Sequence, residues 1–315
     1  VTAPPRVAVA LEGYGWHPEA WRHTTDTRPV TAGDYWADLA RTAERGLVDF
    51  VTFDDSLSPQ RRRRPEIDPR WLAGRPDAVL LAARVAPVTR HVGLVPVANV
   101  THTSPRQLAK TVVTLDDISC GRAGWQIRVG AAAHEAQLYG RPPPAGEVFD
   151  DALRAVMAVR DLWPCPQPVV AALAHNPRVY EFAAAGADLV FITPQDDDSV
   201  TTILGEVEQA GGRGLQVYAD LYVTFDGVVD ERSDALVVSG TPRELADHIV
   251  AWHRLGVHGI RLRPAVNSMD LPVIADELIP LLQRRAGFRT GYADGETLRQ
   301  RLGLPADRSA KASTP

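Results

Sequence analysis

The chain has 315 residues, 45% of them hydrophobic, enough to bury a large core in one barrel-sized domain or two smaller ones. A net charge of -5 argues against nucleic acid or an anionic membrane as the main partner. The two cysteines, Cys120 and Cys165, form no CxxC pair, which excludes a disulfide framework and fits a reducing, cytoplasmic compartment; no signal peptide or membrane span is visible.

In chain order, apolar runs of strand length alternate with segments of helical period. Val7–Leu11 reads as a strand, 31–45 as a helix, 48–53 as a strand and 77–86 as a helix. The strand at 92–97 ends in Asn99, Thr101, His102 and Thr103, a cluster of hydrogen-bonding side chains. Ser104 and Pro105 read as N-cap and first residue of the next helix, with Leu108, Val112 and Leu115 as its apolar stripe and Gly121 as its left-handed stop. A strand at 123–129 follows, then a helix at 148–163 and a strand at 169–173. Further pairs are expected at 178–185 and 188–193, at 200–210 and 215–225, and at 242–255 and 259–262, before a last helix at 271–284.

About eight strand and helix pairs predict a (β/α)8 barrel over residues 1–304, with 305–315 as a flexible tail. In that fold the loops after the strands meet at one face. They carry Glu12, Trp16 and His17; Asp54, Asp55 and Ser56; Asn99 and His102; Arg128; His175 and Asn176; Thr193 and Gln195; Asp226; and Arg263. No HExxH, HxH pair or carboxylate ladder marks a metal site, and Asp196–Asp198 reads as a helix cap. No GxSxG elbow marks a hydrolase. The arginines at 61–64 fall in the loop after the second strand, where they would face the mouth.

Five segments carry a resemblance: ALEGYGWHPEAWR from Ala10, ARTAERGLVDFVTFDDSL from Ala40, AARVAPVTRHVGLVPVANVTHTSP from Ala82, SCGRAGWQIRV from Ser119 and GFRTGYADGETLRQRLGL from Gly287. Through them the chain resembles the bacterial luciferase-like flavin-dependent monooxygenases, in the branch of the nitrilotriacetate and dibenzothiophene-sulfone enzymes. The resemblance implies a luciferase-like barrel and homodimer. It also implies reduced FMN supplied by a separate flavin reductase, and O2 as oxidant of a small organic substrate through a C4a-(hydro)peroxyflavin.

By position, Asp55, Ser56, Asn99, Trp125, Gln126 and Arg128 would surround the flavin, with His102 and Trp125 facing one cavity. His175, Asn176 and Arg178 would hold its phosphate. His17 and His102 would serve as proton donor or substrate contact. The sequence departs from the family in two places. The excursion between the fourth helix and fifth strand is reduced to the stretch after Trp163, and the turn after the fifth strand reads Ala-His-Asn-Pro-Arg where relatives carry Gly and Ser. The same barrel hosts deazaflavin F420 enzymes, so F420 is the alternative cofactor, and a shortened, non-catalytic flavin-binding protein is the alternative from another class.

Overall fold

The computed structural model describes residues 3–56, 75–142 and 147–307. The arginine run at 61–64 and most of the tail lie outside them. Among the described residues the chain runs β1 (Arg6–Leu11), α1 (Ala20–His23), α2 (Gly33–Arg45), β2 (Phe50–Phe53), α3 (Ala78–Val85), β3 (Gly93–Asn99), α4 (Pro105–Ser119) and β4 (Gly124–Arg128). It continues through α5 (Ala133–Leu138), α6 (Val148–Asp161), β5 (Val169–Leu173), α7 (Pro177–Gly186), β6 (Leu189–Ile192), α8 (Asp197–Gln209), β7 (Gln216–Thr224), β8 (Leu236–Ser239), α9 (Pro242–Leu255) and β9 (Gly259–Pro264). The helices α10 (Asn267–Val273), α11 (Ile279–Ala286) and α12 (Leu298–Arg301) complete it.

Eight parallel strands close into a barrel in the order β1-β2-β3-β4-β5-β6-β7-β9 and back to β1. The (β/α)8 expectation is borne out. One strand escaped the sequence reading. β6 pairs with β7 only up to Ile192 and Ala219, and β8 takes over the same edge from Leu221, so the wall grows taller beside β7.

Successive strand residues alternate between the barrel axis and the helix layer. The lower interior is apolar, with Ala8, Phe50, Val95, Ala171, Phe191 and Tyr218 packed together. Gly259 is required there, because a Cβ at that position would fall 2.4 Å from the Tyr218 ring. Leu298 and Leu302 close the bottom. Their segment is clamped by Arg301 on the Asp49 and His91 carbonyls and by Arg299 on buried Asp188.

Local signals place the helix starts. Thr241, Pro242 and Glu244 form a capping box with proline at the first turn of α9, and Asp196 with Ser199 does the same for α8. Asp196 therefore caps a helix, as the sequence suggested. At α4 the expectation needs correction: Ser104 is the N-cap, but its side chain makes no capping bond. Its stop is shared, since Cys120 is left-handed at φ 57° ahead of Gly121 at φ 80°. The link from α6 to β5 is as short as the sequence implied, and the Trp163 indole fastens it to the Ala109 carbonyl at 3.0 Å. Among the described residues no helix is long and apolar enough to cross a membrane.

Candidate active site

Above the apolar floor the inward positions turn polar and charged. On β7 and β9, Asp220, Arg261 and Arg263 all point inward and are almost completely buried. Arg261 donates to Asp220 at 2.7 Å and to Gln126 at 2.8 Å, while Arg263 donates to Asp220 at 2.9 Å and also binds Asp234. The Arg261 guanidinium lies 3.6 Å above the Phe191 ring. This network is the floor of the mouth.

Two cavities open on it. One, of ≈ 320 Å³ over β3 to β5, has an apolar wall including Val97, Phe149 and Leu173, with Asp54, Gln126, Arg128 and His175 as its polar edge. The other, of ≈ 300 Å³ over β1 and β7 to β9, is lined by Glu12, Trp16, Arg75, Tyr222, Asp234 and Arg263. A charged bar stands between them, because Arg75 binds both Glu12 at 2.6 Å and Asp54 at 2.8 Å. A larger space of ≈ 620 Å³ lies to one side, between the β3–α4 turn and the start of α6.

Burial pushes the Glu12 carboxyl up to about 7 against the pull of Arg75. A folded value above the unfolded one means that Glu12 favours the folded state fully below the ordinary carboxylate range. That contribution disappears as pH rises through about 7. Glu12→Gln is therefore expected to flatten the fall in stability between pH 5 and pH 8; equal slopes of urea midpoint against pH in both proteins would refute this.

The residues predicted for the site divide into three groups. Gln126, Arg128 and His175 line the ≈ 320 Å³ cavity together. Ser56 is buried behind them, with its Oγ 3.4 Å from Arg128, and Asp55 accepts from the Ala78 amide at 3.2 Å while burial pushes its carboxyl up to about 6.

Asn99 and His102 form a second group. Asn99 Oδ1 accepts from the Thr101 and His102 amides, which turns the chain sharply after β3. The His102 ring is buried, stacks on Tyr139 at 4.6 Å, and leaves its Nε2 with no hydrogen-bond partner among the described residues. Gly130 covers both. A Cβ there would fall 2.8 Å from Asn99 Nδ2 and 2.8 Å from His102 Nε2.

The third group lies elsewhere. Trp125 is fully buried, donates to the Ala98 carbonyl at 3.1 Å and packs edge-on to Trp163. It faces the helix layer, because on β4 the inward positions are 124, 126 and 128, so the cavity shared with His102 is corrected. His17 accepts from the Glu19 amide and lies against His23, outside both mouth cavities. Asn176 is spent capping α7, and Arg178 is held among Asp150, Glu181 and Glu147 on the surface. Of the phosphate turn expected there, the Arg178 guanidinium is turned to these carboxylates and Asn176 Oδ1 to the Val179 amide.

Sequence reading missed Arg75, Glu135, Asp220, Asp234 and Arg261. Arg75 and Asp234 sit in loops whose direction no periodicity reveals, and Glu135, which pairs with Arg128, is on the short α5. Asp220 had a signal. It is the one acid in an otherwise apolar strand, two residues from Tyr218 and Tyr222, and arginines at 261 and 263 show the same period of two.

Comparison with known proteins agrees with this architecture. A family model described as luciferase-like monooxygenase matches residues 16–224. The N-acetyl-S-(2-succino)cysteine monooxygenase of Bacillus subtilis (strain 168) is 22% identical over 440 aligned positions, covering 97% of this chain and 98% of that protein. Nitrilotriacetate monooxygenase component A from Aminobacter aminovorans is 34% identical over 47% of this chain and 35% of its own. The structure of EDTA monooxygenase from Chelativorans sp. BNC1 superposes with a TM-score of 0.82 at 17% identity, covering 96% and 99% of the two chains. The F420-dependent tetrahydromethanopterin reductase of Methanopyrus kandleri shares the barrel less closely, with a TM-score of 0.66 at 14% identity over 89% of this chain and 100% of its own. With the family model covering most of a closed eight-stranded barrel of the same architecture, the chain belongs to the luciferase-like monooxygenase family.

Proposed function

We propose that the protein is a monooxygenase that takes reduced FMN from a separate flavin reductase, and O2, to oxygenate a small organic substrate. The observation that carries this is the ≈ 320 Å³ cavity, whose apolar wall suits a flat ring and whose Gln126 and Arg128 suit its polar edge. The family supplies the cofactor class. Both bonds of Arg128, to Glu135 and Ser56, use Nη2, which leaves Nε and Nη1 for an anionic ligand group. Val129 lines the same cavity, and the next residue, Gly130, packs directly on Asn99 and His102, so the rim has no room to shift there.

When bound, reduced flavin supplies the electrons that activate O2. The chain's own residues do the rest. Val97, Phe149 and Leu173 exclude water from one face, Gln126 is held in place by Arg261, and Arg128 with Ser56 orients the polar end. The bar of Glu12, Arg75 and Asp54 separates this chamber from the charged one, where a substrate would sit.

Stopped-flow mixing of protein and reduced FMN with oxygenated buffer tests the reading. A return of oxidised-flavin absorbance that differs from free FMN supports it, and a trace identical to free FMN sinks it. Parallel titration with F420 addresses the alternative cofactor, and sedimentation addresses the homodimer. Arg128→Ala is expected to weaken FMN binding roughly tenfold to a hundredfold, the size of a lost charge-assisted hydrogen bond. An unchanged Kd from flavin fluorescence quenching would remove Arg128 from the site.

A further inference from the structure

Three histidines follow barrel strands, and their surroundings differ. His17 already accepts a backbone hydrogen at Nδ1. His102, its ring stacked on Tyr139, lines the ≈ 620 Å³ space to one side instead. His175 alone of the three lines the ≈ 320 Å³ cavity, is half-exposed, and has a defined neighbour at each ring nitrogen. Its Nδ1 is 3.0 Å from Thr193 Oγ1 on the next strand's loop, and its Nε2 is 4.0 Å from Asp234 Oδ2.

Asp234 does not hang free. Its other oxygen binds Arg263, which is buried and fixed on Asp220, and its carbonyl accepts from Gln195 Nε2 at 2.8 Å. Burial would raise the Asp234 carboxyl, but Arg263, and less strongly His175, hold it below the usual range. The carboxylate thus stays charged beside the imidazole. Asp234 also lines the second cavity, so the His175–Asp234 contact lies where the two chambers meet.

We propose that His175 is the proton-handling residue of this site and that Asp234 is its positioning residue, its carboxylate charge facing Nε2 and favouring the Nε2–H tautomer while Thr193 donates to Nδ1. The role rests on the oxygenase reading above. Reduced flavin, O2 and substrate give oxidised flavin, oxygenated substrate and water with no net proton. Without substrate the products are oxidised flavin and hydrogen peroxide, again in balance. From that neutral state His175 takes up at Nδ1 one of the protons that the reduced flavin gives up on oxidation, and it returns this proton to the departing oxygen within the turnover, so the stoichiometry is untouched. The turn that departs from the family pattern then has a use other than phosphate binding.

The first test needs no cofactor. In histidine labelled with nitrogen-15, two-bond correlation spectra above the titration range distinguish the two neutral tautomers, and His175→Gln identifies the signal. The expected result is an Nε2–H tautomer in the wild type and a mixture in Asp234→Ala; an unchanged tautomer in that variant overturns the positioning role. The second test follows oxidised-flavin absorbance after mixing reduced FMN and protein with O2. His175→Gln is expected to slow the final phase about a hundredfold, with Asp234→Ala between it and the wild type. A wild type that matches free FMN overturns the oxygenase reading and this role with it. A wild type distinct from free FMN but equal to His175→Gln overturns the proton role alone.

Discussion

Asp220→Ala is expected to destabilise the fold by about 3–5 kcal/mol, the cost of leaving buried guanidinium groups without their carboxylate. Asp220 has no exposed surface, and Arg261 and Arg263 are each 2% exposed, so water cannot replace what is removed. Arg263 retains Asp234, but among the described residues Arg261 keeps only Gln126 and the face of Phe191. Against a typical stability of about 5–15 kcal/mol that loss is large. Asp220→Asn, which keeps one acceptor, should cost less, and removing all three charges with Asp220→Leu, Arg261→Met and Arg263→Leu should restore much of the stability. Urea denaturation at constant slope measures each. A loss below about 1 kcal/mol in Asp220→Ala would show that the network tolerates an unpaired arginine, contrary to what burial requires.

The same network explains why the mouth is rigid where it touches ligand. Gln126 reaches the ≈ 320 Å³ cavity already bonded to Arg261, and Asp234 reaches the other already bonded to Arg263. One buried carboxylate fixes the donors that fix both. A polar floor of this kind costs stability that an apolar one would not, which fits a role in placing side chains.

The strands were legible because parallel strands are buried on both sides and appear as short apolar runs, and the helices because their starts carry proline and capping residues. β5 and α9 have the expected bounds. β8 was not separable from loop, since all four of its residues are partly or fully exposed and it completes only the top of one edge. The site was legible by position and not by direction. Counting loops brought Gln126, Arg128 and His175 to one mouth, but Trp125 and Gln126 are neighbours in sequence on opposite faces of β4, and only strand parity separates them. The carboxyl-terminal motif carried family resemblance without belonging to the mouth. Arg289, Arg299 and Arg301 pair with Asp49, Asp188 and main-chain carbonyls at the opposite end, where charge serves stability.

Gly130→Ala is expected to leave the barrel folded, at a cost of about 1–3 kcal/mol for overpacking, while weakening FMN binding roughly tenfold to a hundredfold. The added Cβ would meet Asn99 Nδ2 at 2.8 Å and His102 Nε2 and Cδ2 at 2.8 and 2.9 Å, all closer than such atoms approach. Asn99 cannot retreat without releasing the two amides that shape the turn after β3, and the His102 ring is stacked against Tyr139. Removing the ring in a Gly130→Ala, His102→Ala double variant relieves one clash and should return part of the affinity. Equal FMN affinity in the wild type and Gly130→Ala would mean that the flavin does not use this corner of the mouth. Affinity regained by the double variant, with O2 reactivity regained as well, would assign His102 to shaping the cavity and leave the proton to His175.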